Sequence, residues 1–194
     1  MDTYPDQPDP THYIDRLTAA SALHREAAAW TLGELGSSRA AGPLAGLLLR
    51  ELETVERSGY LDHCEVVAAV VEAIRRLGAT EALYALFRAL RVLGRAKVVD
   101  EDTVIEIVDT IAEVGGPTAI REAADRLVRG LKDAGGGPAG LHVVGKVLLP
   151  RLGLCGDLAV KTLRRLARGG PESLRPVAEV AYASTLSSSL SRFL

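Results

Sequence analysis

The sequence is poor in aromatic residues, cysteine and methionine. Its 194 residues include two Phe, one Trp, one Met and two Cys, whereas hydrophobic residues as a whole make up 47%. The apolar content therefore comes mainly from Leu and Ala, which favour helices packed closely through small side chains rather than sheets. The 25% of charged residues is typical of a globular chain. We expect an all-α fold.

The chain also lacks the residue groupings that hold disulfides or metals. Cys64 and Cys155 are far apart and have no CxxC or Cys/His partner, which argues against a disulfide framework or a zinc site. We expect both to be reduced thiols in the core of a cytoplasmic protein. The four histidines are spread along the chain at His12, His24, His63 and His142. No ligand cluster follows from this spacing, so we expect surface or capping histidines, no metal and no cofactor.

Neither a strong charge of one sign nor a long apolar run is present. The net charge is −2 and the isoelectric point is about 6.1, which gives no overall basic excess for non-specific nucleic-acid binding. No uninterrupted apolar run approaches the ~20 residues that span a bilayer. The first ten residues, MDTYPDQPDP, lack the apolar core of a signal peptide. We expect a soluble cytoplasmic protein that does not enter a membrane.

Catalytic motifs are missing or incomplete. The GxSxG nucleophile motif is absent. The segment Gly140–Val147 matches GxxxxGK, but Val147 stands where a phosphate-binding loop needs Ser or Thr to reach Mg²⁺. Glu106, Asp109 and Glu113 fall on one helical stripe, which is most simply a solvated face. We therefore predict a non-catalytic protein.

What the sequence does contain is a repeated pattern of helix, glycine corner and helix. In the first copy, one helix covers about Ala22–Leu35, Gly36 suits a left-handed C-cap, and a second helix covers 39–57. The apolar spacing of the first helix predicts that five of its residues are buried: Ala27, Ala28, Trp30, Leu32 and Leu35. Trp30 is therefore expected in the core.

The pattern recurs three more times. The predicted helix pairs are Cys64–Leu77 with Thr80–Leu93, Thr103–Val114 with Pro117–Leu131, and Leu141–Leu152 with Gly156–Ala167. The corner glycines, Gly36, Gly78, Gly115 and Gly153, are separated by 42, 37 and 38 residues. A near-constant period with a fixed corner indicates stacked helical hairpins, each of which needs its neighbours to bury its apolar face.

The segment Ala27–Gly36, together with Arg39–Ala41 and Pro43–Leu44, resembles a HEAT repeat of the bacterial phycobilisome-lyase-like type. The corners at Gly78–Leu83 and Gly115–Ile120 are similar to it in weaker form. The resemblance implies a right-handed α-solenoid of about four HEAT-like hairpins with extra N- and C-terminal helices. It is specific for fold and says little about function.

These patterns predict a flexible arm at 1–9 and one solenoid domain at 10–194. We expect a first helix from near Pro10 to about Ala20, capped by Asp9 or Thr11. The repeats are expected at about 21–57, 62–94, 101–133 and 140–168, and a C-terminal capping helix at 171–192. The end of that helix either covers the last hairpin or docks onto a partner or a second copy.

The second helices of hairpins two to four are rich in basic residues, whereas the helix over 101–114 is acidic. In HEAT-like stacks the second helices line the concave side, so the resemblance implies a basic groove. The residues predicted to bind a partner are Arg88, Arg91, Arg95, Arg126, Arg129, Lys161, Arg164 and Arg168. The sequence favours an adaptor that binds an acidic or extended protein segment.

Several alternatives remain open. The basic stripe is also compatible with ordinary solvated helices, or with a nucleic-acid-binding or base-processing HEAT-like protein. HEAT-like DNA glycosylases bring aromatic residues to the groove, and this chain is only 4% aromatic. A lyase-like enzyme that modifies a tetrapyrrole or a protein is a more distant alternative. The sequence leaves the oligomeric state open.

Overall fold

The computed structural model describes residues 8–61, 63–93, 100–133, 157–169, 172 and 175–190. Within these ranges every regular element is helical, which confirms the all-α prediction. The α-helices are α1 (Pro10–Arg16), α2 (Ala22–Leu35), α3 (Ala41–Ser58), α4 (Cys64–Leu77), α5 (Leu83–Leu93), α6 (Glu101–Asp133), α7 (Asp157–Gly169) and α8 (Arg175–Leu190). Short 3-10 helices, Ser38–Ala40 and Thr80–Ala82, precede α3 and α5. Among the described helices, none combines the length and the apolar character needed to cross a bilayer.

The first helix is shorter than the sequence suggests. Asp9 caps α1 by accepting a hydrogen bond from the Thr11 amide at 2.9 Å, and Pro10 occupies the first helical position, as predicted. The helix ends at Arg16 rather than near Ala20. The carbonyls of Leu17, Ala19 and Ala20 accept from arginine side chains of α2 and α3, so these residues form a loop held by later helices.

Left-handed glycines close the first two predicted corners. Gly36 has φ 64° and Gly78 has φ 58°, the conformation expected of a helix C-cap without a Cβ. At the third corner the left-handed residue is Gly116 (φ 66°, ψ −167°) and not the predicted Gly115. Proline disfavours a helical conformation in the residue before it, so Pro117 places the break at Gly116. The helix α6 is accordingly broken in its middle.

Small residues bring α2 and α4 into close contact. Ala28, Ala29 and Leu32 are buried, and a Cβ added to Gly33 would lie 3.0 Å from the Cα of Ala73. This agrees with the predicted packing through small side chains. The contact leaves no room for an indole.

The predicted burial of Ala27 and Trp30 is wrong. Ala27 is exposed and the Trp30 side chain is 41% exposed. The close-packed face of α2 is occupied by Ala29 and Gly33, so Trp30 points to the outer surface, where the Arg76 guanidinium lies 5.2 Å from its ring centroid.

The remaining helices extend this packing along the chain. Helix α4 packs against both α2 and α6, α3 packs against α4 and α5, and α5 packs against α6. Helix α7 packs against α6 and α8. The predicted fourth corner, Gly153, and the first helix of the fourth hairpin lie outside the described residues.

Candidate interaction surfaces

Helix α5 divides into a buried and an exposed side. Seven of its residues are buried: Ala85, Leu86, Phe87, Ala89, Leu90, Val92 and Leu93. Tyr84, Arg88 and Arg91 follow one another at helical spacing on the other side, and we call them the α5 face. Tyr84 is 62% exposed and Arg91 is also exposed. An aromatic side chain thus lies beside basic residues on one surface.

Arg88 is the part of the α5 face that is already engaged. Its Nη2 donates to Oε2 of Glu56 on α3 at 3.1 Å, and its side chain is 27% exposed. Its Nε is buried and has no hydrogen-bond partner in the described part of the chain. The guanidinium therefore makes a single contact with one carboxylate and uses only part of its donor capacity.

The exposed side of α7 is also basic. Lys161, Arg164, Arg165 and Arg168 are exposed, and we call this group the α7 face. Arg164 donates to the Tyr182 hydroxyl at 3.1 Å, and its guanidinium lies 5.7 Å from the centroid of that ring. Arg165 pairs with Asp125 on α6. Lys161 and Arg168 make no ion pair with any residue that the structure describes.

The structure thus places five of the eight predicted basic residues. Arg91, Lys161 and Arg168 are exposed and unpaired among the described residues, whereas Arg88 and Arg164 contact Glu56 and Tyr182. The other three predicted positions, Arg95 and the side chains of Arg126 and Arg129, lie outside the described residues. Helices α5 and α7 both pack against α6.

A row of ion pairs joins the outer sides of α2, α4 and α6. Arg76 contacts Glu34 and Glu72, and Arg75 contacts Glu72 and, at 3.8 Å, Glu113. The hydrogen bond to Glu72 is the main reason why the pKa of Arg75 is raised. The row connects three helices, and its charges partner one another.

Among the described residues near α6, few side chains could take part in catalysis. Cys64 is half-buried and not in the core, contrary to our expectation, and burial raises the pKa of its thiol, with Glu65 adding to the effect. A raised pKa leaves little nucleophilic thiolate at neutral pH. Burial likewise raises the pKa of Glu106. In the described ranges, no group of three His, Cys, Asp or Glu side chains is arranged to hold a metal ion.

The sequence matches no family model and no curated protein.

Sequence reasoning missed a cleft formed by α2, α3 and the start of α4. Arg25 and Glu51 form an ion pair there, with 2.8 Å between Nε and Oε1. One signal was available, since Glu51 lies at helical spacing from Leu44, Leu48 and Val55, all of them buried. A charged residue at a core position needs a partner, and the sequence alone does not identify Arg25 as that partner.

Proposed function

We propose that this protein is a non-catalytic interaction module, built from stacked HEAT-like hairpins, that binds an acidic or extended protein segment. The order of helix contacts supports the hairpin stack, because α2, α4 and α6 pack in succession and α3 packs against α5. Glycine corners recur between the paired helices. Each hairpin would then cover the apolar side of the next.

The observation that carries the binding proposal is the α5 face. Tyr84 and Arg91 are exposed about two turns apart, with Arg88 between them, on a helix whose opposite side is buried. Tyr and Arg are the residue types that most often dominate binding energy at protein interfaces. Lys161 and Arg168 of the α7 face, which pair with none of the described residues, add positive potential that would steer an acidic segment towards the protein.

The test uses a fluorescein-labelled peptide rich in Asp and Glu that also contains one aromatic residue. We expect binding to weaken at least tenfold in the variant Arg91→Glu/Lys161→Glu, because both cations face solvent and their reversal replaces attraction with repulsion. Its Tm should stay close to that of the wild type. Arg88 is left unchanged, since an acidic residue there would oppose Glu56 across the α3/α5 contact.

The control is Arg16→Glu, which reverses an exposed arginine of α1, away from both faces. It changes the net charge by as much as each single reversal, Arg91→Glu or Lys161→Glu, with which it is compared. It should leave peptide affinity within about twofold of the wild type, since exposed charges are screened beyond ~10 Å. Equal binding by the wild type and the double variant would contradict the proposal. An equal loss of peptide affinity in Arg16→Glu would show that the weaker binding is a non-specific effect of charge.

Nucleic-acid binding is the second candidate, favoured by the exposed ring of Tyr84 on the same helix side as Arg88 and Arg91. Aromatic rings next to basic groups are stacking platforms for single-stranded nucleic acids. This candidate predicts tight binding of a single-stranded DNA oligomer that weakens steeply with salt and is lost in Tyr84→Ala. A flat titration at low salt would remove it.

A further inference from the structure

The strongest unassigned feature is the open cleft of about 360 Å³ between the loop residues 17–19, helices α2 and α3, and His63 at the N-terminal end of α4. Its volume lies in the range of small-molecule sites, ~300–1000 Å³. The polar side chains that line it are Thr18, Arg25, Arg50, Glu51, Thr54 and His63, and we call it the Arg25–Arg50 cleft. It lies apart from the α5 and α7 faces and does not depend on the function proposed for them.

One wall of the cleft is held rigidly by a buried ion pair. Arg25 and Glu51 are only 13% and 8% exposed, and the Arg25 Nε donates to Glu51 at 2.8 Å. The Nη1 of Arg25 also donates to the carbonyls of Ala19 and Ala20, at 3.0 and 2.9 Å. Removing both charges from water is unfavourable. The ion pair and the two hydrogen bonds to carbonyls offset this cost, and they hold this part of the lining in one arrangement.

Other lining residues of the cleft carry hydrogen-bond donors that are not fully used. The Nη2 of Arg50 donates to the Leu17 carbonyl at 2.8 Å, which orients a guanidinium that remains exposed. A guanidinium has five N–H donors, and the others on Arg50 make no hydrogen bond in the described part of the chain. The Thr54 hydroxyl and the His63 ring are likewise without hydrogen bonds to the described residues.

The charges of the lining residues select the kind of ligand. The lining contains two arginines, Arg25 and Arg50, and one carboxylate, Glu51, so the cleft has one positive charge in excess when His63 is neutral. Glu51 neutralises Arg25 directly, and only Arg50 can accept a new anion. One available guanidinium matches a single carboxylate group, whereas a phosphate dianion would meet the charge of Glu51 without a second free cation.

We propose that the Arg25–Arg50 cleft binds a small organic molecule through one carboxylate group. The planar fork of Arg50 offers two parallel N–H bonds to a carboxylate, the geometry in which arginine binds such groups most strongly. Thr54 and His63 provide further donors at the rim. Arg25 holds the Ala19 and Ala20 carbonyls of the same loop whose Leu17 carbonyl orients Arg50. The Arg25–Glu51 pair is not itself displaced.

The experiment follows the arginine Nε–H signals of the full-length, ¹⁵N-labelled protein by NMR while sodium acetate and then sodium lactate are added. Sodium chloride at equal ionic strength is the reference. We expect saturable shifts of the Arg50 Nε–H signal with both carboxylates and not with chloride. Identical shifts in chloride would overturn the proposal, and so would tighter binding of inorganic phosphate than of acetate.

Two variants of α3 give the matched comparison. Arg50→Gln should weaken lactate binding about tenfold, as expected for the loss of a charge-assisted hydrogen bond. Arg57→Gln removes the same charge from the same helix, but among the described residues its side chain donates only to the Glu53 carbonyl, so we expect no change. Because Arg50→Gln also frees the Leu17 carbonyl, Arg50→Lys is tested as well. It should keep the fold and still lose most of the affinity, and equal binding by all variants would contradict the assignment.

Discussion

At the scale of single residues, the identity of residue 33 is set by the distance between two helices. Gly33 lies in the middle of α2, where glycine is unfavourable for helix stability, yet the backbone of α4 is too close for a larger residue. Gly46 lies within α3 and has no atom within 4 Å of the position that a Cβ would take. The two glycines therefore have the same low helix propensity, but the surroundings of Gly33 are tightly packed and those of Gly46 are open.

We predict that Gly33→Ala lowers the Tm and that Gly46→Ala raises it. The new methyl at position 33 would lie 3.0 Å from the Cα of Ala73, and overpacking of this kind destabilises a protein by ~1–3 kcal/mol. At position 46 only the helix preference changes, which stabilises by up to about 1 kcal/mol. Thermal unfolding followed by circular dichroism measures both. Equal Tm values for the two variants would show that α2 and α4 are not in tight contact.

Arg88 and Glu56 give a second prediction at this scale, which rests on the proposed function. A partner carboxylate that contacts Arg88 must compete with Glu56. We expect Glu56→Gln to bind the acidic peptide about two- to fivefold more tightly, in line with the ~0.2–1 kcal/mol of an exposed ion pair. Fluorescence anisotropy at fixed salt gives the affinity.

Glu53→Gln is the control for Glu56→Gln. It removes one exposed carboxylate from the same helix without touching Arg88. If both variants gain equally in affinity for the peptide, the gain comes from the lower negative charge in general, and Glu56 does not compete with the partner carboxylate for Arg88. In an Arg88→Gln background the gain from Glu56→Gln should disappear.

Single residues also show where sequence reasoning stops. The apolar spacing of α2 correctly indicates a helix. It also assigns Trp30 to the core because Trp is apolar, and the sequence does not show which side of α2 faces α4. Similarly, Arg91 was predicted to be available and is exposed, while the contact of Arg88 with Glu56 depends on how α3 and α5 lie relative to one another. The spacing of residues in the sequence did not predict contacts between residues that are far apart in the chain.

At the scale of secondary structure, helix ends were predicted best where the capping residue and the apolar pattern both lie within the helix or next to it. The predicted bounds of α2 and α4 agree with the structure, because a left-handed glycine ends each helix and the apolar pattern covers its whole length. The third corner was misplaced by one residue, since two adjacent glycines are equivalent until the effect of Pro117 is considered. The short α1 was overestimated because long-range arginine contacts end it.

The cap of α1 makes the stability of this helix depend on pH. The backbone hydrogen bond from Thr11, followed by that from its side chain, lowers the pKa of Asp9 below 3.8. A lowered carboxyl pKa means that ionised Asp9 stabilises the folded helix above about pH 4, and that this contribution is lost as the pH falls through the lowered value.

We therefore predict that the amide protons of α1 lose protection on acidification and that Asp9→Ala loses the same protection already at neutral pH. Asp9→Asn keeps an acceptor for the Thr11 amide and should retain most of the protection, with no dependence on pH in this range. NMR hydrogen exchange and the pH titration of the Thr11 amide shift measure these effects. A wild-type titration midpoint no lower than that of an Asp residue in an unstructured peptide would contradict the cap.

At the scale of the whole molecule, α4 connects the parts of the chain. It packs against α2, α3 and α6, and half of its residues are buried. The repeat period in the sequence predicted that successive hairpins lie side by side, and the contacts of α2 with α4 and of α4 with α6 agree with this order. The handedness and curvature of such a stack depend on small rotations between neighbouring helices, which a repeat period does not encode.

The position of α4 predicts how a core defect spreads. Ile74 is completely buried, and Ile74→Ala should destabilise the protein by ~2–5 kcal/mol through the lost contacts and the cavity left behind. Because α4 lies against both α2 and α6, we expect hydrogen exchange to accelerate in all three helices. Leu23→Ala is the control, since Leu23 is 69% exposed on α2 and its truncation should change stability by no more than about 0.5 kcal/mol. Hydrogen exchange with mass spectrometry on both variants separates the outcomes: acceleration confined to α4 would mean that the helices unfold independently, contrary to the coupling that their packing implies.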